Sequence, residues 1–133
     1  MSYVLTTCCY CGCGCGLYLK VEDGRVLGAM PSRNHPVSRN NLCVKGWHIH
    51  EFVHHPDRLT TPLIRKGGEL VPADWDEALD YTARELDRLL NTYGSDALAV
   101  IASAKCTNED NYVLQKFTRR VLGTNNIDHC ARL

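Results

Sequence analysis

The sequence predicts an α+β chain in two parts. A small β-rich, cysteine-dense domain spans residues 1–58, and the start of an α/β domain with a parallel sheet, incomplete at its end, spans 59–133. Three observations predict this. Short apolar stretches separated by turn dipeptides fill the first part. Past residues 56–62 the pattern becomes that of an amphipathic helix, with Leu79, Ala83, Leu86 and Leu90 recurring at i, i+4, i+7 and i+11. The continuous apolar run from Ala97 to Ala102 then reads as a parallel strand covered on both faces. Helix, strand, helix, strand is the opening of an α/β layer, and a parallel sheet cut after its second strand exposes bare edges.

Residues 3–7 and 17–21 read as strands. Asp23-Gly24 is a tight-turn dipeptide, and Arg25–Ala29 returns as the partner strand. Pro31–Pro36 is loop, and a helical turn or two is expected over Trp47–Val53. His54–Pro62 connects to a hairpin whose strands, Leu63-Ile64 and Leu70-Val71, flank Lys66-Gly67-Gly68. Asp74-Trp75-Asp76-Glu77 is a capping-box-like start for a helix that runs to Tyr93 and stops at Gly94. A second helix is expected over Asn108–Leu122, with Val113, Phe117 and Val121 inward and Gly123 ending it. Asn126–Ala131 starts another strand or loop, and there is no internal repeat.

Fifteen Lys and Arg balance fifteen Asp and Glu, so nothing in the charge points to nucleic acid. The 44% hydrophobic and 23% charged content is that of a globular protein. Residues Met1–Cys8 show no basic n-region, apolar h-region or twin arginine, and no apolar run is long enough for a membrane span. The expected location is therefore cytoplasmic, where dense cysteines mean metal or catalysis more often than disulfides.

Five cysteines lie within residues 8–15, and one more stands at Cys43. Cys8, Cys11, Cys15 and Cys43 fit a C-x2-C-x3-C-x27-C pattern. Iron–sulfur clusters are held by four such thiolates, and soft thiolate sets also suit structural zinc. Spacing alone leaves both open. Gly12, Gly14 and Gly16 let the loop adopt positive φ and approach a bound group closely. Cys9 could compete with Cys8 as a ligand and Cys13 with Cys15. The plainer reading makes both small fillers, as it does for Cys106 and Cys130.

Thr6-x-Cys8-x2-Cys11-x3-Cys15-x-Leu17-x-Leu19, closed by Leu42-Cys43-Val44-Lys45-Gly46, resembles the N-terminal iron–sulfur domain of molybdopterin oxidoreductases. The resemblance continues through Thr61–Arg65, Trp75–Leu79, Asn108-Glu109 with Tyr112, Gln115 and Phe117, and Gly123–Asp128. Cysteines at positions 9 and 13 depart from it. It covers the whole chain but only the N-terminal fifth or so of such an enzyme. The run Asn125–Arg132 looks most like formate dehydrogenases, in which a metal-ligating selenocysteine or cysteine follows almost directly, and then a catalytic histidine. The chain stops at Leu133, one position short. The resemblance thus leads us to expect a UGA selenocysteine codon after codon 133, with a partial chain or a split subunit completed by another chain as the alternatives.

This resemblance implies that Cys8, Cys11, Cys15 and Cys43 ligate one [4Fe–4S] cluster. It implies that Lys45 lies between cluster and pterin and serves the electron path, where a cation would also raise the cluster's reduction potential; taken by itself, Lys45 would be a solvated lysine. Lys105, Asn108 and Glu109 sit where an α/β fold offers ligand-binding loops and would line the pocket of a molybdenum or tungsten bis-guanine-dinucleotide pterin. Capping by Asn108 is the alternative. His48, His50, His54 and His55 receive no role, because i and i+2 do not share a helix face, and His129 receives none either.

The function implied is the N-terminal electron-transfer part of a formate dehydrogenase, passing electrons from the pterin-bound metal to the cluster. Its partners would be the remainder of the catalytic subunit and iron–sulfur or hydrogenase-type subunits, and formate would be the substrate of the complete enzyme. The 133-residue chain alone is expected to be inactive. A nitrate reductase of the same family and a free-standing small iron–sulfur module are the alternatives.

Overall fold

The structure, a computed structural model, describes residues 1–130. Ala131, which ends the expected last segment, and Arg132 of the family-like run lie outside the described residues. The chain divides into two compact units. One is Met1–Arg58 with Ile101–Gln115 and the residues from Asp128 on, and the other is Leu59–Val100 with Lys116–Ile127.

In the first unit, β1 (Ser2–Thr7), β2 (Gly16–Glu22) and β3 (Arg25–Pro31) form an antiparallel sheet in that order. Asp23 and Gly24 carry φ of 48° and 74°, and Glu22 pairs with Arg25 across them. That is the two-residue turn whose twist matches a hairpin. A register shift at Lys20/Val21 breaks the second ladder. The core is built on β2: Leu17, 0% exposed, packs with Cys8 and Ile49, and Tyr10, Cys15, Leu19, Ala29 and Leu42 close around them.

The segment after β3 folds back on itself. The Asn40 N–H donates to the Ser32 carbonyl at 3.2 Å, and the Ser38 N–H donates to His35 Nδ1 at 3.2 Å. This seats the His35 ring on Gly16, where an added Cβ would lie 2.4 Å from the ring. Gly16 is thus held free of a side chain by contact, beside Cys15. Helix α1 (Val44–Trp47) is a single turn beginning directly after Cys43. The expected helical stretch at Trp47–Val53 is instead a series of turns closed three residues apart, Glu51 N–H to His48 carbonyl and Val53 N–H to His50 carbonyl.

In the second unit, β4 (Leu63–Lys66) and β5 (Glu69–Pro72) form the expected hairpin, with Gly67 and Gly68 at φ 59° and 93°. Helix α2 (Trp75–Tyr93) begins where the Asp74 carboxylate accepts the Glu77 N–H at 2.7 Å. It ends where Gly94, at φ 80°, donates its N–H to the Leu90 carbonyl. Its apolar stripe is not buried as expected. Leu79 is 59% exposed, and Leu79, Ala83, Leu86 and Leu90 line an open groove of about 280 Å³ with Phe117, Val121 and Leu122. Periodicity marks the face that seeks cover and does not by itself supply the cover.

Between the helices the expected strand over Ala97–Ala102 is shorter. A 3-10 turn takes Ser95–Ala97, and β6 covers only Val100–Ala102, paired with β7 (Ile127–His129). Ile101 is 85% exposed rather than covered on both faces, because a two-stranded sheet leaves its faces open. Helix α3 spans Asn108–Arg120. Its inward side is rotated from the expected one: Val113 and Val121 are each 59% exposed, while Thr118 is fully buried and Phe117 half-buried. The Thr124 N–H donates to the Thr118 carbonyl, so the chain turns back over that threonine through Gly123. Among the described residues no helix is long and apolar enough to cross a membrane.

Candidate metal centre

Strands β1 and β2 pair up to Thr7–Gly16, and one further bond, Cys8 N–H to Cys15 carbonyl at 2.8 Å, closes the mouth of the loop between them. Cys8 and Cys15 therefore face each other where the loop begins and ends. At its far side the Gly14 N–H donates to the Cys11 carbonyl at 3.3 Å, with Gly14 at φ 57°. This turn needs the left-handed conformation that glycine adopts without strain. Cys8 is buried, Cys11 and Cys15 are half-buried, and Cys9 and Cys13 face outward.

Cys43 comes from a different part of the chain, at the N-cap of α1. The backbone N–H of Gly46, helped by the Lys45 N–H and the Lys45 ammonium, draws the Cys43 thiol below its ordinary pKa. Burial pushes Cys15 up, and the thiolates of Cys11 and Cys43 push it further. Burial also raises Cys8, against a hydrogen bond from the Tyr10 backbone, and Cys9, Cys15 and Cys11 add to the rise. Cys15 thus feels the charges of both Cys11 and Cys43, and Cys8 those of Cys9, Cys11 and Cys15. Four thiolates gathered this way repel one another, and a cationic metal core offsets that repulsion.

Among the described residues no three His, Cys, Asp or Glu side chains are close enough to share a single metal ion. A multi-iron core is larger than one ion and spans thiols set further apart. The donor set, all soft thiolate, is the one that iron–sulfur chemistry uses.

Lys45 lies on α1 with its ammonium 5.8 Å from the centre of the Tyr10 ring, a cation–π distance. Tyr10 stands between Cys8 and Cys11, so this contact ties the Cys43 segment to the loop. Sequence reading passed over Tyr10; an aromatic residue set among glycines and cysteines was the available sign. Beside it His48 Nδ1 and a Glu51 carboxylate oxygen are 2.6 Å apart, and that bond holds Glu51 below the ordinary carboxylate range. His54 Nε2 accepts the Val26 N–H at 2.9 Å, and His55 Nδ1 accepts the Asp57 N–H. His48, His54 and His55 thus make separate contacts, and among the described residues His50 Nδ1 is buried without a hydrogen-bond partner.

Of the three residues expected near the pterin, Lys105 and Glu109 are exposed, and the Lys105 N–H donates to Ser103 Oγ. Asn108 donates from Nδ2 to the Gly12 carbonyl at 3.1 Å. It does not cap α3. Thr107 does, exchanging bonds with Asp110: the Thr107 hydroxyl donates to the Asp110 carboxylate at 2.8 Å, and the Asp110 N–H donates to Thr107 Oγ1. His129 Nδ1 lies 2.8 Å from the Cys130 carbonyl.

Residues 1–55 match the molybdopterin oxidoreductase Fe4S4 domain, and residues 58–133 match molybdopterin oxidoreductase. The chain is 53% identical over 133 residues to the alpha subunit of F420-dependent formate dehydrogenase 1 of Methanococcus maripaludis, covering 100% of this chain and 19% of that protein. It is 52% identical over 130 residues to the F420-dependent formate dehydrogenase alpha subunit of Methanocaldococcus jannaschii, covering 98% and 19%. Among solved structures, acetylene hydratase from Pelobacter acetylenicus superposes with a TM-score of 0.72 at 26% identity, over 94% of this chain and 18% of that one. The chain thus spans about a fifth of the length of the curated relatives it matches.

Proposed function

The chain belongs to the molybdopterin oxidoreductase family, and from that premise we propose that it is the N-terminal, electron-transferring part of the catalytic subunit of a molybdenum- or tungsten-dependent formate dehydrogenase. In this reading residues 1–58 form the [4Fe–4S] domain and residues 59–133 open a parallel α/β domain. The whole subunit converts formate to CO2, two electrons and a proton. The reading is carried by one observation: the loop that holds Cys8, Cys11 and Cys15 and closes on the Cys8–Cys15 backbone bond lies, with Cys43, within the residues that match an Fe4S4 domain. The identity to formate dehydrogenase alpha subunits supports the substrate.

When bound, the cluster supplies reversible one-electron storage. The protein's part is ligation, exclusion of water and electrostatics. Cys8 would ligate from the Leu17–Ile49 core, which shields one side. Cys43 would ligate from the start of α1, where backbone N–H groups already favour its thiolate. Lys45, held over Tyr10, places a positive charge two residues from that ligand. Lys105 and Glu109 are the proposed contributions to the pterin pocket, most of which would come from parts of the subunit that this chain does not span. The remaining partners would be electron-accepting subunits, with F420 the first acceptor to try, as the relatives' names suggest. We place the protein in the cytoplasm, where thiols stay reduced and available to a cluster.

The test uses the assembled enzyme, purified without oxygen from its native host. Formate alone is expected to produce the electron paramagnetic resonance signal of the reduced cluster. Lys45→Met is expected to slow its appearance and to lower the cluster's midpoint potential, because losing a cation disfavours the more negative, reduced form. A wild-type enzyme that ignores formate but is reoxidised by nitrate would replace this reading with a nitrate reductase. An unchanged potential in Lys45→Met would remove the role given to Lys45.

A further inference from the structure

We infer that Asn108 is a positioning residue for the cysteine loop, clamping the Gly12 peptide between two ligand positions. The inference rests on the cluster reading of that loop. Asn108 and Gly12 are 96 positions apart but lie in the same compact unit. The Asn108 Nδ2 donates to the Gly12 carbonyl at 3.1 Å, and Asn108 Oδ1 lies so close that a Cβ on Gly12 would come within 2.5 Å of it. The amide therefore rests on bare backbone, and a side chain at position 12 would displace it.

Asn108 is free for this task because the neighbouring pair Thr107–Asp110 caps α3. Its own footing is fixed. The Asn111 Nδ2 donates to the carbonyls of Ser103 and Thr107, which holds the segment leading from β6 into α3. In the loop it grips, Gly12 and Gly14 flank Cys13, and the turn bond from Gly14 N–H to the Cys11 carbonyl is 3.3 Å. A peptide is planar, so fixing the Gly12 carbonyl also fixes the direction of the Cys13 N–H and the dipole of the whole unit. Peptide dipoles and hydrogen bonds near an iron–sulfur centre tune its potential. Asn108 thus sets both how firmly Cys11 and Cys15 are presented and the field they stand in.

The test compares wild type, Asn108→Ala, Asn108→Asp and Thr107→Ala as anaerobically purified holoprotein. Asn108→Ala and Asn108→Asp are expected to lose iron to a ferrous chelator about fivefold faster or more, the effect of one lost hydrogen bond. They are also expected to shift the midpoint potential and to speed hydrogen exchange of the Gly12–Gly14 amides in the metal-free chain. Thr107→Ala is expected to lower thermal stability without changing iron release. Asp matches Asn in size but lacks the donor, so a wild-type-like Asp variant would reduce the contact to packing and overturn the inference. Iron release from the double variant Gly12→Ala/Asn108→Ala no faster than from Asn108→Ala alone would support it through the coupling of the pair, and additive losses would overturn it. Unchanged iron release, potential and exchange in Asn108→Ala would overturn it. A wild-type protein that holds no iron would overturn it too, through failure of the cluster reading rather than of the clamp.

Discussion

Replacing any one of Cys8, Cys11, Cys15 or Cys43 by serine is expected to abolish cluster assembly, while Cys9→Ser and Cys13→Ser keep it. Serine is nearly isosteric with cysteine but offers a hard oxygen in place of a soft thiolate, and iron–sulfur ligation depends on the latter. The four proposed ligands are those that fit the family spacing, and Cys43 is exposed like Cys9 and Cys13. Cys8 is buried on Leu17 and Ile49, whereas Cys9 faces outward. Cys15 responds to the charges of Cys11 and Cys43. Cys43→Ser is the cleanest member of the series. Serine is a favoured N-cap, so α1 should still start there and only the ligand is lost. Iron and acid-labile sulfide per chain give the readout. Loss in Cys9→Ser with retention in Cys8→Ser would move the ligand set by one residue and overturn the assignment.

Leu17→Ala is expected to cost about 2–5 kcal/mol, the range for emptying a fully buried leucine site. The loss is large for a unit of this size, since small domains rarely hold more than about 3–5 kcal/mol in a single core. Leu17 is the centre of that core, and both Cys8 and Cys15 pack against it. The metal-free variant should therefore lose its cooperative unfolding transition. Iron and sulfide should restore part of it, because a ligand that binds only the folded state stabilises that state. Denaturant unfolding with and without the cluster measures both effects. A change below about 1 kcal/mol in the metal-free chain would mean that the unit does not depend on this core.

What could be read from the sequence was what short-range chemistry determines. Asp23-Gly24 and Gly67-Gly68 specify left-handed two-residue turns, and both hairpins formed around them. Asp74 and Gly94 bound α2 because a side-chain acceptor and a positive φ act within a few residues. The gathering of Cys8, Cys11 and Cys15 is similarly local, since all three lie in one eight-residue loop.

Burial was harder to read. The stripe along α2 was visible as a pattern, but its cover depends on contacts that a pattern does not contain. On α3 the valines looked inward, yet the buried position belongs to Thr118, under the turn that returns through Gly123. The start of α1 at Cys43 was missed because a four-residue helix leaves no period to find. Asn108 on Gly12 was missed because 96 residues separate them, and Asn108 ahead of a helix looks like a cap. The true cap, Thr107, stood one residue earlier with its acidic partner three residues on.

The most direct test of the central claim is a metal and sulfide count on the anaerobically purified protein, joined to electron paramagnetic resonance after reduction. About four iron and four sulfide per chain, with a signal that appears on one-electron reduction, is the predicted result. About one zinc per chain, with no sulfide and no signal, would contradict it and leave a structural thiolate site in its place.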